Sequence, residues 1–104
     1  MDKPTLRTID GAEHEMVDLT GRIYRIVAEF DNNVPEISDV DFIERHAALT
    51  AELYSGVSVD DVLDLSLDDI LPASVAARRF VYAFTWLKMA EVSKNVLEDK
   101  ALSN

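Results

Sequence analysis

The sequence contains no cysteine, so a disulfide framework, a thiolate metal site and a thiol nucleophile are all excluded. Glycine is scarce too. The three glycines, at positions 11, 21 and 56, stand far apart and none opens a GxGxxG or phosphate-loop phrase; no serine lies in a GxSxG context. Long apolar runs are missing. The longest lies within 80–87, is interrupted by Thr85 and is flanked by Arg79 and Lys88, far short of the roughly 20 residues a membrane span needs. Bases are few, 10 against 20 acids, for a net charge of −10. Nucleic acid is therefore not an expected partner, because phosphate binding depends on clustered Lys and Arg. Met1-Asp2-Lys3-Pro4 lacks the apolar segment of a secretory signal, so the expected location is the cytoplasm, with no membrane association.

What is present describes a single domain. With 104 residues, 48% apolar and 29% charged, the chain can build one modest core and must rely on burial alone. The expected fold is mainly α, a small multi-helix domain with a long C-terminal helix. Residues 1–15 form either a β-hairpin or an extended arm, 16–98 the helical body and 99–104 a flexible tail. Charge is unevenly placed: residues 1–71 carry a net −12 and residues 72–104 a net +2. The C-terminal segment is thus expected to pack against, or stack beside, an acidic face.

The first helical periodicity is Met16, Leu19, Ile23, Ile26, Val27 and Phe30, with Thr20 or Asp18 as cap and Asn32-Asn33 and Pro35 as the stop. Gly21 costs about 1 kcal/mol against alanine inside a helix, which favours a start near Arg22. Upstream, Asp10-Gly11 is a type I′ turn signal that would set Ile9 opposite Ala12 and Leu6 opposite Glu15. A second helix is expected from Ser38, with Asp41 three residues on, to about Tyr54, burying Ile43, Ala47, Thr50 and Leu53 and ending at Gly56.

Next comes SVDDVLDLSLDDI, residues 58–70, in which a serine followed by two aspartates and apolar residues occurs twice. A serine hydroxyl accepts from N–H groups two or three residues on, and acids in a first turn face the positive end of a helix. Both phrases therefore read as starts of short helices, the second ended or redirected at Pro72. A calcium loop is not supported, since its central glycine and terminal glutamate are absent. His14 and His46 are isolated and read as surface histidines without a metal or catalytic set. No cofactor is expected, and none of the 20 acids stands out as an acid–base pair.

The helix after Pro72 is the most informative segment. On a helical projection Phe80, Ala83, Phe84, Leu87 and Ala90 form one face, assigned to the core, while Val81, Met89 and Val92 lie on another, extended by Tyr82 and Trp86. From Ser74 to Val96 it would run about 34 Å, against a diameter of about 33 Å for a domain of this size. Too little chain remains to cover both faces. Val81, Tyr82, Trp86, Met89 and Val92 are accordingly the candidate partner-binding residues, for self-association or capture of an apolar helix.

The phrase HAALTAELYSGVSVDDVLDLSLDDILPASVAARRFV, residues 46–81, resembles the tail assembly chaperones of long-tailed bacteriophages, and IDGAEHEMVDLTGRIYRI, residues 9–26, is similar to the opening of that family. The likeness covers about 70 residues, as patterns of apolar and acidic positions without a catalytic residue. It implies a non-enzymatic protein of the host cytoplasm that binds and solubilises the apolar, helical tape measure protein and recruits tail tube subunits. Such a protein would work as a homo-oligomer and be absent from the finished particle. The competing class is an acidic inhibitor presenting Asp60, Asp61, Asp64, Asp68 and Asp69 in place of nucleic-acid phosphates. Strong salt dependence of binding would mark that class.

Overall fold

Asp10 and Gly11 do turn the chain, but through a three-residue loop. Thr8 N–H donates to the Ala12 carbonyl (3.1 Å) and Gly11 N–H to the Thr8 carbonyl (2.9 Å), and Gly11 takes the left-handed conformation, φ 85°, which glycine adopts without a Cβ clash. The Asp10 carboxylate accepts from the Thr8 hydroxyl (2.6 Å) and the Ala12 N–H (3.1 Å). Those bonds, the hydroxyl's first, hold its pKa below the ordinary value. The extra loop residue shifts the expected register by one. Leu6 faces His14, not Glu15, and Arg7 faces Glu13.

A computed structural model describes residues 2–102, with side chains for residues 2–96. Among the described residues the elements are β1 (Thr5–Arg7), β2 (Glu13–Glu15), α1 (Gly21–Asn32), α2 (Phe42–Leu53), α3 (Val59–Leu63) and α4 (Leu67–Leu102). The fold is mainly helical with a long C-terminal helix, and the N-terminus is a hairpin. The tail expected at 99–104 lies outside the described side chains, and 103–104 outside the described residues altogether.

The hairpin does not stand free. Ser55 N–H donates to the Glu15 carbonyl (2.8 Å) and Val17 N–H to the Leu53 carbonyl (2.9 Å), so β2 is sewn to the end of α2. Met16, placed by periodicity on a helix, instead bridges Tyr54 and is buried there. The Thr20 hydroxyl caps α1 by accepting from Ile23 N–H (3.3 Å), and Gly21 sits in the first helical position. There its N–H has no intrahelical acceptor to lose.

The second helix starts later than expected. Asp39 closes a turn of its own, its carboxylate accepting from Glu36 N–H (2.8 Å) and its carbonyl from Phe42 N–H (3.1 Å), and α2 begins at Phe42 rather than after Ser38. Local side-chain bonding outcompetes the helix there. Ala47, Thr50 and Leu53 are buried as expected, while Ile43 is only half-buried.

Of the two acidic phrases, the first is a complete capping box. Asp61 N–H donates to the Ser58 hydroxyl (3.1 Å) and Ser58 N–H to the Asp61 carboxylate (3.0 Å). The second opens α4, which continues through Pro72 instead of stopping there. Proline in the sixth helical position forfeits one bond, to the Asp68 carbonyl. Its ring lies on the exposed side, while Ile70, Ala73, Ser74, Ala77 and Val81 place one buried stripe on both sides of it. That burial outweighs the lost bond. With 36 residues α4 rises about 54 Å, close to the longest dimension of the molecule, whose extents are 59 × 30 × 20 Å.

The core lies where α4's first half crosses α2, with α3 packed on α2 and α1 beside them, around Val27, Ala47, Leu53, Tyr54, Val62, Ile70 and Ala77. Tyr54 is buried and its hydroxyl donates to the Ala73 carbonyl (2.9 Å); burial pushes its phenol up to about 12.

Candidate partner-binding surface

The core-facing stripe of α4 ends at Val81. That residue is 2% exposed and closes the monomer's own core, so it does not belong to the exposed strip on which it was placed. The expected core face was wrong in phase: Phe80, Ala83 and Phe84 are half-buried, and Leu87 and Ala90 are exposed. The helix runs through Pro72, so its buried face is phased from residues before the proline. Extended back through the proline, the spacing 70, 73, 74, 77, 81 gives the correct face directly.

On either side of Val81 the helix is held to the body by a polar seam with α1. Arg78 donates to the Asp31 carboxylate (2.6 Å) and to the Ser74 carbonyl (3.3 Å), and the Tyr82 hydroxyl donates to the other Asp31 oxygen (2.7 Å). Tyr82 also meets the ring of Tyr24 edge-on at 5.9 Å. Partial burial first, and the Asp31 carboxylate second, push the Tyr82 phenol up to about 12. On the flank of the buried stripe opposite this seam Phe80 and Phe84 stack at 6.2 Å, with the Lys88 ammonium 5.4 Å over Phe84.

Four of the five candidate residues stand in solvent. Tyr82 is 38% exposed, Trp86 75%, Met89 59% and Val92 54%, and Val96 is exposed beyond them. At 100° per residue Tyr82, Trp86, Met89, Val92, Ser93 and Val96 share an arc of about 120°. This arc lies on the α1 side of the helix, so it continues the line of the α1–α4 seam beyond the end of the body. Trp86, Met89, Ala90 and Ser93 enclose a shallow hollow on it. The strip is largely apolar, lies on one side of the helix and holds the chain's single tryptophan.

The histidines depart from the expected surface roles. His46 is buried, with Nδ1 2.9 Å from the Ser74 hydroxyl and its ring against the edges of Phe30 and Phe42. Burial, then the Arg78 and Arg45 charges, lower its pKa. His14 is half-buried, its Nδ1 2.9 Å from the Ser55 carbonyl and its Nε2 3.1 Å from the Thr8 hydroxyl. That spacing is one a nucleophile and base would have. Thr8, however, is buried and its hydroxyl donates to Asp10 at 2.6 Å. The group ties the hairpin turn to the end of α2.

Asp60, Asp61, Asp64, Asp68 and Asp69 are all exposed. Asp61 is engaged in the capping box, and Asp69 lies 3.5 Å from the Ser66 hydroxyl. Among the described residues no group of three or more His, Asp or Glu is placed to hold a metal ion, and no helix is long and apolar enough to cross a membrane. Comparison with protein-family models, with curated proteins and with solved structures gave no match for this chain.

Proposed function

We propose that this chain is a non-enzymatic assembly chaperone that covers the apolar stripe of a helical partner with the exposed strip of α4. The observation that carries this reading is the exposure of Trp86, Met89 and Val92 on a helix that has left its own core. An apolar helical client would aggregate unless covered, and copies with a net charge of −10 would keep the covered client dispersed. Weak contacts repeated along a long client add through multivalency.

The resemblance over residues 9–26 and 46–81 supplies the specific role: a phage tail assembly chaperone acting in the host cytoplasm, with the tape measure protein as client and the tail tube subunit as the competitor that replaces it. The test is co-expression with the tape measure protein. Wild-type chain should keep the client soluble, and Met89→Glu should leave it in the pellet while the variant's circular dichroism stays helical. Equal client solubility with wild type and variant would overturn the reading.

A further inference from the structure

Strand β1 is the open edge of the sheet. β2 has neighbours on both sides: β1 on one, and on the other the end of α2, where Ser55 N–H donates to the Glu15 carbonyl. β1 has β2 alone. Met16 N–H donates to the Pro4 carbonyl (3.2 Å) and Thr8 N–H to the Ala12 carbonyl (3.1 Å), which fixes the parity of the ladder. Pro4, Leu6 and Thr8 direct their backbone groups at β2, while Thr5 and Arg7 direct theirs to the outer edge. No other backbone group among the described residues takes them there.

A groove runs along this edge. One wall consists of the consecutive residues 5–9; a hollow on the face of a strand would be lined by alternate residues, so this one follows the edge. The opposite wall is the α3–α4 junction and the first turns of α4, which contribute Asp64, Asp68, Asp69 and Pro72, above buried Tyr54 and Ala73.

Backbone and charge together choose the occupant. The free N–H and C=O groups of Thr5 and Arg7 stand ~7 Å apart, the repeat of an extended chain; a helix has its own backbone groups bonded internally and cannot answer them. The one base on the groove, Arg7, is taken up by Glu13 at 2.7 Å. Among the described residues no Lys or Arg pairs with Asp64, Asp68 or Asp69. The positive start of α4 offsets part of the charge of Asp68 and Asp69, and Asp64 lies outside that helix. Leu6 is buried, so its side chain points into the body, and every second side chain of an added strand, those level with Leu6, would face the acidic wall.

We infer that β1 accepts as an added strand an extended segment of a partner protein with Lys or Arg at alternate positions, its backbone paired with Thr5 and Arg7 and its basic side chains set against Asp64, Asp68 and Asp69. This contact is independent of the α4 strip. Pro72 and Met89 lie about 25 Å apart along the helix.

The probe is a fluorescein-labelled octapeptide of alternating lysine and threonine, titrated with the full chain at low salt and followed by anisotropy. It should bind saturably, and the glutamate–threonine analogue should not. Methylating the threonine amide nitrogens, which face β1, should abolish binding, whereas methylating the lysine amides, which face solvent, should leave it. Thr5→Pro removes one outward N–H and keeps the hairpin ladder; it should weaken binding about tenfold. Asp64→Asn combined with Asp68→Asn, both exposed, should weaken it comparably, with circular dichroism unchanged. Absence of saturable binding, equal binding of the two methylated peptides, equal binding of the acidic analogue, or wild-type affinity in either variant would overturn the inference. Self-association of the free chain that Thr5→Pro removes would place a second copy on the edge and overturn it as well.

Discussion

Residues 67–81 and 82–96 belong to one uninterrupted helix, yet they do opposite work. The first half presents apolar side chains (Ile70, Ala73, Ala77, Val81) to the body, chiefly to α2, and its proline is tolerated because burial holds both flanks. The second half carries the larger side chains Trp86, Met89 and Val92, with solvent where the first half has a core. The difference is one of supply: α1 and α2 cover the first half, α3 packs on α2, and among the described elements none is left to cover the second. That unpartnered apolar strip is the basis of the proposed role.

The comparison breaks most visibly under core truncation. Leu53→Ala, deep beneath the first half, should cost about 2–5 kcal/mol in urea unfolding. Trp86→Ala, at concentrations where the protein is monomeric, should stay within about 0.5 kcal/mol of wild type. Comparable losses would mean that the arm packs on the body after all.

The junction between the halves should be intermediate. Arg78→Ala removes a partly buried charged hydrogen bond and leaves Asp31 with Tyr82 alone; about 1.5–3 kcal/mol is expected. A loss under 0.5 kcal/mol would show that the seam does not hold the arm's direction.

Acid should weaken the body through His46. Its folded pKa lies below the ordinary 6.5, so the unfolded chain binds the proton first as pH falls. From this group, stability is constant above about pH 6.5 and declines below it, by at most ~1.4 kcal/mol per pH unit, until the folded pKa is passed. Urea midpoints measured from pH 7.5 downward, with His46→Gln as the non-titrating control, would show the decline flattened in the variant. An equal slope in both proteins would assign it to other groups.

A smaller effect is expected at the first acidic phrase. Ser58→Ala removes one half of the capping box and should cost about 1 kcal/mol. The arm's contacts should be untouched.

Much of this arrangement is legible in the residues. Ser58 with Asp61, Thr20 before Gly21, and Gly56 in the left-handed region at the end of α2 (φ 73°) follow from local chemistry that works within four residues. What sequence misleads about is set by distant neighbours. Pro72 signals a break only where nothing compensates, and compensation comes from α2, nearly two helical elements away in the chain. His46 looks like a surface histidine until Phe30, Phe42 and Ser74 close around it from three different segments. The hairpin register turned on one loop residue. Of the candidate strip, the exposure of Tyr82, Trp86, Met89 and Val92 is legible as excess apolar circumference, whereas Val81 falls on the core face because the buried stripe begins before Pro72.

Trp86 offers the most direct test, being the chain's single tryptophan and lying at the centre of the strip. In dilute protein its fluorescence should be that of a water-exposed indole, open to quenching by acrylamide; adding the tape measure protein, or raising the concentration of the chain itself, should shift the emission to the blue and protect it from quencher. Emission already blue and protected at the lowest concentration, or unmoved by either partner, would contradict the claim that this half of α4 waits for another helix.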